Sequence, residues 1–456
     1  MITSSNPADE QLLGTYAFHT QDAVEGFLNK AVSTQRRWAR QPVESRCSLL
    51  SRVAMVLRKN KAEYARIITQ EMGKPIAEAE GEVEKCAWTC EFYAQAAPGF
   101  LADQNVASNA SESRVVFDPL GVLLAIMPWN YPFWQFIRFS APALAAGNAA
   151  LLRHASNVPQ CALALEAAFK EAGAPEGLVT TLLVDHDVVA QLIDDPRVAA
   201  LTLTGSTEVG KRIAAQAGRA MKKQVFELGG SDPFILLADA DIEQAAKTAV
   251  KARFSNTGQS CISSKRFIVE AAVADRFVEL LCAGVAALKV GDPMDRETTI
   301  GPLARGNLRD DLHVQVERSV AAGAKLLMGG HPVDGPGYFY APTVLDHVTP
   351  QMAAGCEETF GPVAAVIRVA DVEEALQIAN ATEFGLGAAL WTGDLQRARE
   401  LARRIEAGAV FINGLVASDA RLPFGGIKQS GYGRELGEFG IREFTNVKTV
   451  WIGPAR

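Results

Sequence analysis

From residue 121 onward the chain alternates short apolar runs with amphipathic stretches, which confines it to a mostly parallel sheet wound by right-handed crossovers. Residues 121–127 read as a buried strand, 149–153 as another, 158–173 as a helix, 178–184 as a strand and 199–204 as a further buried strand. A turn at 205–210 then opens a helix that runs to residue 218. A second alternation begins at 233–237, passes through a helix over 241–254 and continues to 410–413. Two α/β units follow, with a boundary near Gly229 and Gly230.

At 456 residues the chain exceeds one ordinary core, taking a loose ~150 residues per domain. Residues 22–40, 45–73 and 78–97 carry apolar side chains at helical spacing, so the first hundred residues read as helices. Residues 100–119 turn polar and strand-like, with a strand over 114–118, and look like an appendage. The tail, 443–451, alternates in strand fashion without an obvious partner, and such a strand extends a sheet of its own subunit or of a neighbour.

A net charge of −7 and a pI near 5.6 argue against nucleic-acid or anionic-membrane partners, and favour a small-molecule function. Seven dispersed cysteines, with no CxxC pair and no suitably spaced histidine, fit reduced thiols and give no metal site. Cys86 and Cys90, four apart on a helix, read as sharing burial. The first ten residues have neither a basic start nor an apolar core, and no apolar run approaches the ~20 residues of a membrane helix. A cytoplasmic protein is expected.

Several local patterns carry chemistry. Cys261 follows the polar segment Asn256-Thr-Gly-Gln-Ser260 and precedes a strand-like run over 265–270. A cysteine so placed is either a nucleophile or a small buried residue. Thr204-Gly-Ser-Thr-Glu-Val-Gly210 joins a strand to a helix whose free N–H groups suit an anion, although by spacing alone it is a well-made turn; there is no GxGxxG fingerprint and no P-loop. Pro128-Trp-Asn-Tyr-Pro132 directly follows a buried strand, where the Asn130 amide either points into a crevice to stabilise an oxyanion or holds the turn. Val225-Phe-Glu-Leu-Gly-Gly230 puts Glu227 in an apolar strand, as a general base of raised pKa or as a surface carboxylate.

These motifs, with Glu357-Glu-Thr-Phe-Gly-Pro362 and Pro423-Phe-Gly-Gly-Ile-Lys-Gln-Ser-Gly431, stand in an order that resembles the NAD(P)-dependent aldehyde dehydrogenase superfamily over nearly the whole chain. The resemblance implies an α/β fold of two open, mostly parallel-sheet domains plus a small β oligomerisation element. The cofactor-binding domain would comprise 1–99 and 120–228, the catalytic domain 229–435, and the oligomerisation element 100–119 and 436–456, giving a homodimer or homotetramer. It makes Cys261 the nucleophile, Glu227 the base that activates water, and Asn130 with the Cys261 N–H the oxyanion hole. NAD or NADP would contact Trp129, Gly205, Ser206, Glu358 and Phe360, with Arg153 near the adenosine ribose. Ser156 stands where the family often has an acid that repels a 2′-phosphate, so NADP should be tolerated better than usual.

Arg138, eight residues after Asn130, resembles the arginine with which succinate-semialdehyde dehydrogenases grip the substrate carboxylate; Ser418 matches a second contact of that group, six residues before Phe424. The bland alternative for Arg138 is a surface helix residue. Ser255 replaces a further arginine of some relatives, which implies a looser grip, and Ser263 replaces a second cysteine, which implies no local disulfide switch. The expected substrate is succinate semialdehyde. A longer semialdehyde or an apolar aldehyde is the near rival. CoA acylation, cysteine hydrolysis and a catalytically silent binding protein are the others.

Overall fold

A computed structural model describes residues 1–453. The two alternations form two separate sheets. The first has six strands in the order Gly431–Tyr432, Lys223–Glu227, Val198–Thr204, Val122–Met127, Ala149–His154 and Val179–Thr181. All its neighbours are parallel except Gly431–Tyr432. The second has seven, in the order Lys325–Met328, Thr343–Asp346, Val363–Val369, Ser264–Glu270, Asp232–Leu236, Gly387–Trp391 and Ala409–Ile412, parallel except at its first edge. Sheet membership changes between Glu227 and Asp232. Val122–Met127 is buried at every residue, as a parallel strand covered on both faces must be.

The central strand Val122–Met127 lies between the strand that follows it and Val198–Thr204, so the sheet order reverses beside it. A crevice opens beyond the carboxyl end of a strand at such a point. The loop leaving Met127 carries Trp129 and Asn130 into it, then enters the helix Trp134–Ala145, buried at all its positions. The start of that helix is held electrostatically: Glu82 accepts from the N–H groups of Phe133 (2.9 Å) and Trp134 (3.0 Å) and pairs with Lys74. A carboxylate there satisfies otherwise orphaned donors and complements the helix dipole.

The helical reading of the first hundred residues needs two corrections. Ile2–Ser5 and Leu12–Tyr16 form an antiparallel hairpin, too short and polar for alternation to reveal. The single helix expected over 45–73 is two, Val43–Lys59 and Lys61–Met72, broken at Asn60. Cys86 and Cys90 are both fully buried on the helix Ile76–Phe100. The tail strand has a partner within the chain: Thr445–Ile452 pairs antiparallel with Glu112–Pro119 over eight residues, and Gln104–Asn105 completes a three-stranded sheet. Residues 454–456 of the expected oligomerisation element lie outside the described residues.

Candidate active site

Cys261 stands where two cavities meet. One, of about 240 Å³, is lined by Trp129, Asn130, Gly205, Ser206, Glu227, Arg305, Glu358 and Phe360. The other, of about 490 Å³, is lined by Lys85, Trp134, Arg138, Ser418 and Phe424 among others. Cys261 and Gln135 border both. The thiol precedes its strand and so lies at the amino edge of the second sheet, facing the carboxyl edge of the first, from which Glu227 projects as the last residue of Lys223–Glu227. Glu227 is buried, and the surface alternative for its carboxylate falls away.

The loop before the thiol is held in an uncommon backbone form. Asn256, Thr257 and Gly258 have φ of 53°, 55° and 71°, a left-handed run that costs of order 1–3 kcal/mol for each non-glycine. At Gly258 a Cβ would also meet the Gly361 carbonyl oxygen at 2.3 Å, so no side chain fits. The strain is held by bracing on several sides. Glu78 accepts from the Asn256 N–H at 2.6 Å, buried Arg253 donates to the Thr359 carbonyl at 2.9 Å, and Lys265 donates to the Ser260 and Cys261 carbonyls at 2.9 and 2.7 Å. Ser263 accepts from Arg253 at 2.7 Å and so belongs to the same scaffold.

Asn130 is locked from both ends. Its Oδ1 accepts from Gln135 Nε2 at 3.0 Å, and one N–H of Nδ2 donates to the Gln259 carbonyl at 3.0 Å. An amide carries two N–H groups, so the second is available to an oxygen in the cavity. Asn256 Nδ2 in turn donates to the Asn130 carbonyl at 2.9 Å, tying the loop of the first sheet to the loop that carries Cys261 in the second.

The thiol and Glu227 influence each other's ionisation. Burial pushes Cys261 well above the ordinary thiol range, and the neighbouring Glu227 carboxylate pushes it further. Burial also raises Glu227, while Arg138 and the Cys261 thiol pull it back down. Two adjacent anions are costly in a buried site, so ionisation of either group opposes ionisation of the other. Arg138 is the cation behind them. It lies 2 % exposed on the helix Trp134–Ala145, ruling out a surface residue. Its Nε pairs with Glu435 at 2.6 Å, its Nη2 sits 3.5 Å from Glu227 and 3.3 Å from Thr204 Oγ1, and its guanidinium lies 4.8 Å from the Phe424 ring centre.

On the other side of the thiol, Ser206 caps the thirteen-residue helix Thr207–Arg219, accepting from the Val209 N–H at 3.5 Å. Gly205 turns the chain into it, Gly205 and Ser206 line the smaller cavity, and the helix leaves its first N–H groups without partners of its own. Trp129 and Phe360 meet edge to face at 5.7 Å. Glu358 Oε1 accepts from the Gly230 N–H at 3.0 Å and lies 3.4 Å from Lys265, while a Cβ on Gly230 would strike the Cys261 carbonyl at 2.7 Å. Arg153, near the end of its strand, and exposed Ser156, just beyond, sit farther along the same carboxyl edge, outside the lining of both cavities.

Lys85, Glu435, Lys265 and Arg305 also belong to the site and were not singled out from sequence. Glu435 lies within a legible glycine-rich segment, but nothing local marks its carboxyl as the partner of Arg138. Arg305 lies 5.8 Å from the Trp129 ring centre, joined across a long sequence separation.

The chain is 51 % identical to the probable NADP(+) succinate-semialdehyde dehydrogenase of Synechocystis sp., covering 99 % of each chain. It is 49 % identical to the NAD(P)+ succinate semialdehyde dehydrogenase Sad of Escherichia coli, over 98 % of this chain and 97 % of that one. Among solved structures, the succinic semialdehyde dehydrogenase from Streptococcus pyogenes in complex with NADP+ superposes with a TM-score of 0.97 at 39 % identity, covering all of both chains. A model of the aldehyde dehydrogenase family matches residues 1–450. With a cysteine at the junction of two cavities, and a family match that spans both sheets, the chain belongs to the aldehyde dehydrogenase family.

Proposed function

We propose that this chain is an NAD(P)-dependent semialdehyde dehydrogenase that oxidises succinate semialdehyde to succinate. The observation that carries the reading is the position of Cys261 between a cavity holding Glu227 and Asn130 and a chamber lined by Arg138, Ser418 and Phe424. The names of the relatives from Synechocystis sp., Escherichia coli and Streptococcus pyogenes support the same substrate.

The smaller cavity suits a nicotinamide dinucleotide. The Ser206-capped helix start offers N–H donors to a pyrophosphate, the Glu358 carboxylate suits ribose hydroxyls, and Trp129 and Phe360 wall the cleft. When bound, the dinucleotide supplies the two-electron acceptor that converts a thiohemiacetal into a thioester. Cys261 passes its proton to Glu227 as its sulfur adds to the aldehyde carbon. The resulting oxyanion accepts from the free Asn130 Nδ2 N–H and the Cys261 backbone N–H. Once Glu227 has released that first proton to solvent, it takes a proton from the water that attacks the thioester carbon and returns it to the Cys261 sulfur as the thioester breaks, so that succinate departs from a regenerated thiol.

Steady-state rates with acetaldehyde, butanal, succinate semialdehyde and glutarate semialdehyde test the assignment. The highest kcat/KM is expected for succinate semialdehyde; equal or better use of butanal would remove it. For the dinucleotide, Ser156→Glu is expected to lower kcat/KM for NADP relative to NAD by on the order of 10–100-fold, since a carboxylate beside a 2′-phosphate is repelled. An unchanged ratio would show that position 156 does not meet the adenosine ribose.

A further inference from the structure

We infer that Lys265 is a positioning residue for the reaction proposed above: its buried ammonium, bonded to the Ser260 carbonyl, sharpens the backbone N–H of Cys261 as a donor to the substrate oxygen. The inference rests on the thiohemiacetal chemistry of that reading and not on which aldehyde is used. Lys265 is the second residue of the strand Ser264–Glu270 and is wholly buried. Its Nζ donates to the Ser260 carbonyl at 2.9 Å and to the Cys261 carbonyl at 2.7 Å, and Glu358 Oε1 lies 3.4 Å away. An ammonium has three N–H donors and no acceptor, so these three oxygens match the charged form.

The Ser260 carbonyl and the Cys261 N–H are the two ends of one peptide group. Resonance links them, so a cation that draws electron density onto the oxygen makes the N–H a stronger donor. The Cys261 N–H donates to no acceptor among the described residues, and Cys261 borders both cavities. When its sulfur bonds to the aldehyde carbon, the π pair of the carbonyl moves onto oxygen, and that N–H meets a negative charge. The same happens when water adds to the thioester. A donor strengthened in advance stabilises these oxyanions more than the uncharged carbonyls that precede them.

Holding the loop in shape does not by itself require this lysine. Glu78 accepts from the Asn256 N–H, Asn256 Nδ2 donates to the Gln259 carbonyl at 3.0 Å, and Gln259 Oε1 accepts from the Ala304 N–H at 3.0 Å. None of these bonds reaches the Ser260 carbonyl. Its other donor among the described residues is the neutral Ser263 N–H, at 3.3 Å.

Two reactions of the same thiol separate the roles. Alkylation by iodoacetamide displaces iodide from a saturated carbon and forms no oxyanion, whereas aldehyde oxidation passes through one. The measurement is kcat/KM for an aldehyde at saturating dinucleotide, divided by the rate constant for alkylation of Cys261 at the same pH, followed by peptide mass spectrometry. Ionisation of the thiol, which the Lys265 charge favours, and placement of the sulfur enter both and cancel. Lys265→Met is expected to lower this quotient by on the order of 10–100-fold, a part of what losing a whole oxyanion donor costs. Lys265→Gln, which keeps a neutral donor, is expected to fall between, and it carries the test if the methionine variant folds poorly. The loss should be alike for every aldehyde the enzyme oxidises, because the oxyanion is common to them. A quotient within about twofold of the wild type in both variants, whether the two rates fall together or not at all, overturns the inference and leaves the dehydrogenase reading standing. A loss confined to acid-bearing aldehydes assigns Lys265 to substrate binding and overturns it as well. A wild-type protein that reduces no dinucleotide with any aldehyde overturns the dehydrogenase reading, and the role of Lys265 with it.

Discussion

Cys261→Ala is expected to lose turnover of every aldehyde by on the order of 10⁴-fold or more, the loss typical when a nucleophile that forms a covalent intermediate is removed. Dinucleotide binding should persist, because the helix start at Ser206, the Glu358 carboxylate and the Trp129 wall do not depend on the thiol. No other cysteine can take its place. Cys47, Cys86, Cys90 and Cys161 are buried in the core, and Cys282 and Cys356 line neither cavity. Absorbance of the reduced dinucleotide measures the first part, and quenching of tryptophan fluorescence on dinucleotide addition measures the second. Cys261→Ser provides a control that keeps a nucleophile-shaped side chain, and it should be nearly as inactive because a buried hydroxyl is far harder to ionise than a thiol. A loss below about 100-fold in either variant would place the chemistry on another group.

Much of this site was legible in the sequence because its parts are short backbone devices at the ends of strands. The turn Thr204–Gly205–Ser206 announces a helix start, and the structure places a cap there. Gly229 and Gly230 were legible as a boundary, and the structure adds that Gly230 and Gly258 stand where the carbonyl oxygens of Cys261 and Gly361 come too close for a side chain. What was not legible depends on distance. The partner of Arg138 is Glu435, nearly three hundred residues later in the chain, and Lys85 meets Ser418 across a separation of 333 residues. No local pattern distinguishes a lysine that turns into a chamber from one on a solvated helix face, since the helix Ile76–Phe100 carries charged residues on several sides. The hairpin Ile2–Ser5 with Leu12–Tyr16 escaped for a related reason: its four- and five-residue strands take their stability from pairing and from contacts such as Ser4 Oγ with Glu71 at 2.8 Å, not from an alternating apolar face.

The structure adds a second setting for Arg138. As a residue eight positions after Asn130 it resembled a carboxylate grip. In place, it lines the larger cavity with Ser418 and Phe424 and is also the buried counter-charge beside Cys261 and Glu227, paired with Glu435. Burial raises Glu435 to about 7, so near neutrality the compensation of Arg138 is itself pH-sensitive. Replacing Arg138 by an apolar residue would therefore disturb the nucleophile pair and the substrate chamber together, and the loss would not report on substrate charge alone.

Glu227→Gln isolates the base. The amide keeps the size and burial of the carboxyl but can accept no proton from the thiol or from water. Steady-state turnover is expected to fall by on the order of 10²–10⁴-fold, the range of general-base contributions. The two steps that use Glu227 should separate with pH. Removing the carboxylate removes the anion that raises the Cys261 thiol, so the thiol ionises at a lower pH than in the wild type, although burial still holds it up. Acylation therefore recovers as pH rises, and rapid mixing should show a burst of up to one reduced dinucleotide per subunit, followed by a slow phase limited by hydrolysis of the thioester. In the wild type the pKa of Glu227 is raised by burial, so its basic form is present above that raised value and is lost as pH falls through it, producing an acid limb in kcat. That limb should be absent in Glu227→Gln, because the group that produces it no longer titrates. A variant that turns over at the wild-type rate with its acid limb intact would assign the base to another carboxyl, and Glu435, held 2.6 Å from Arg138, would be the next to replace.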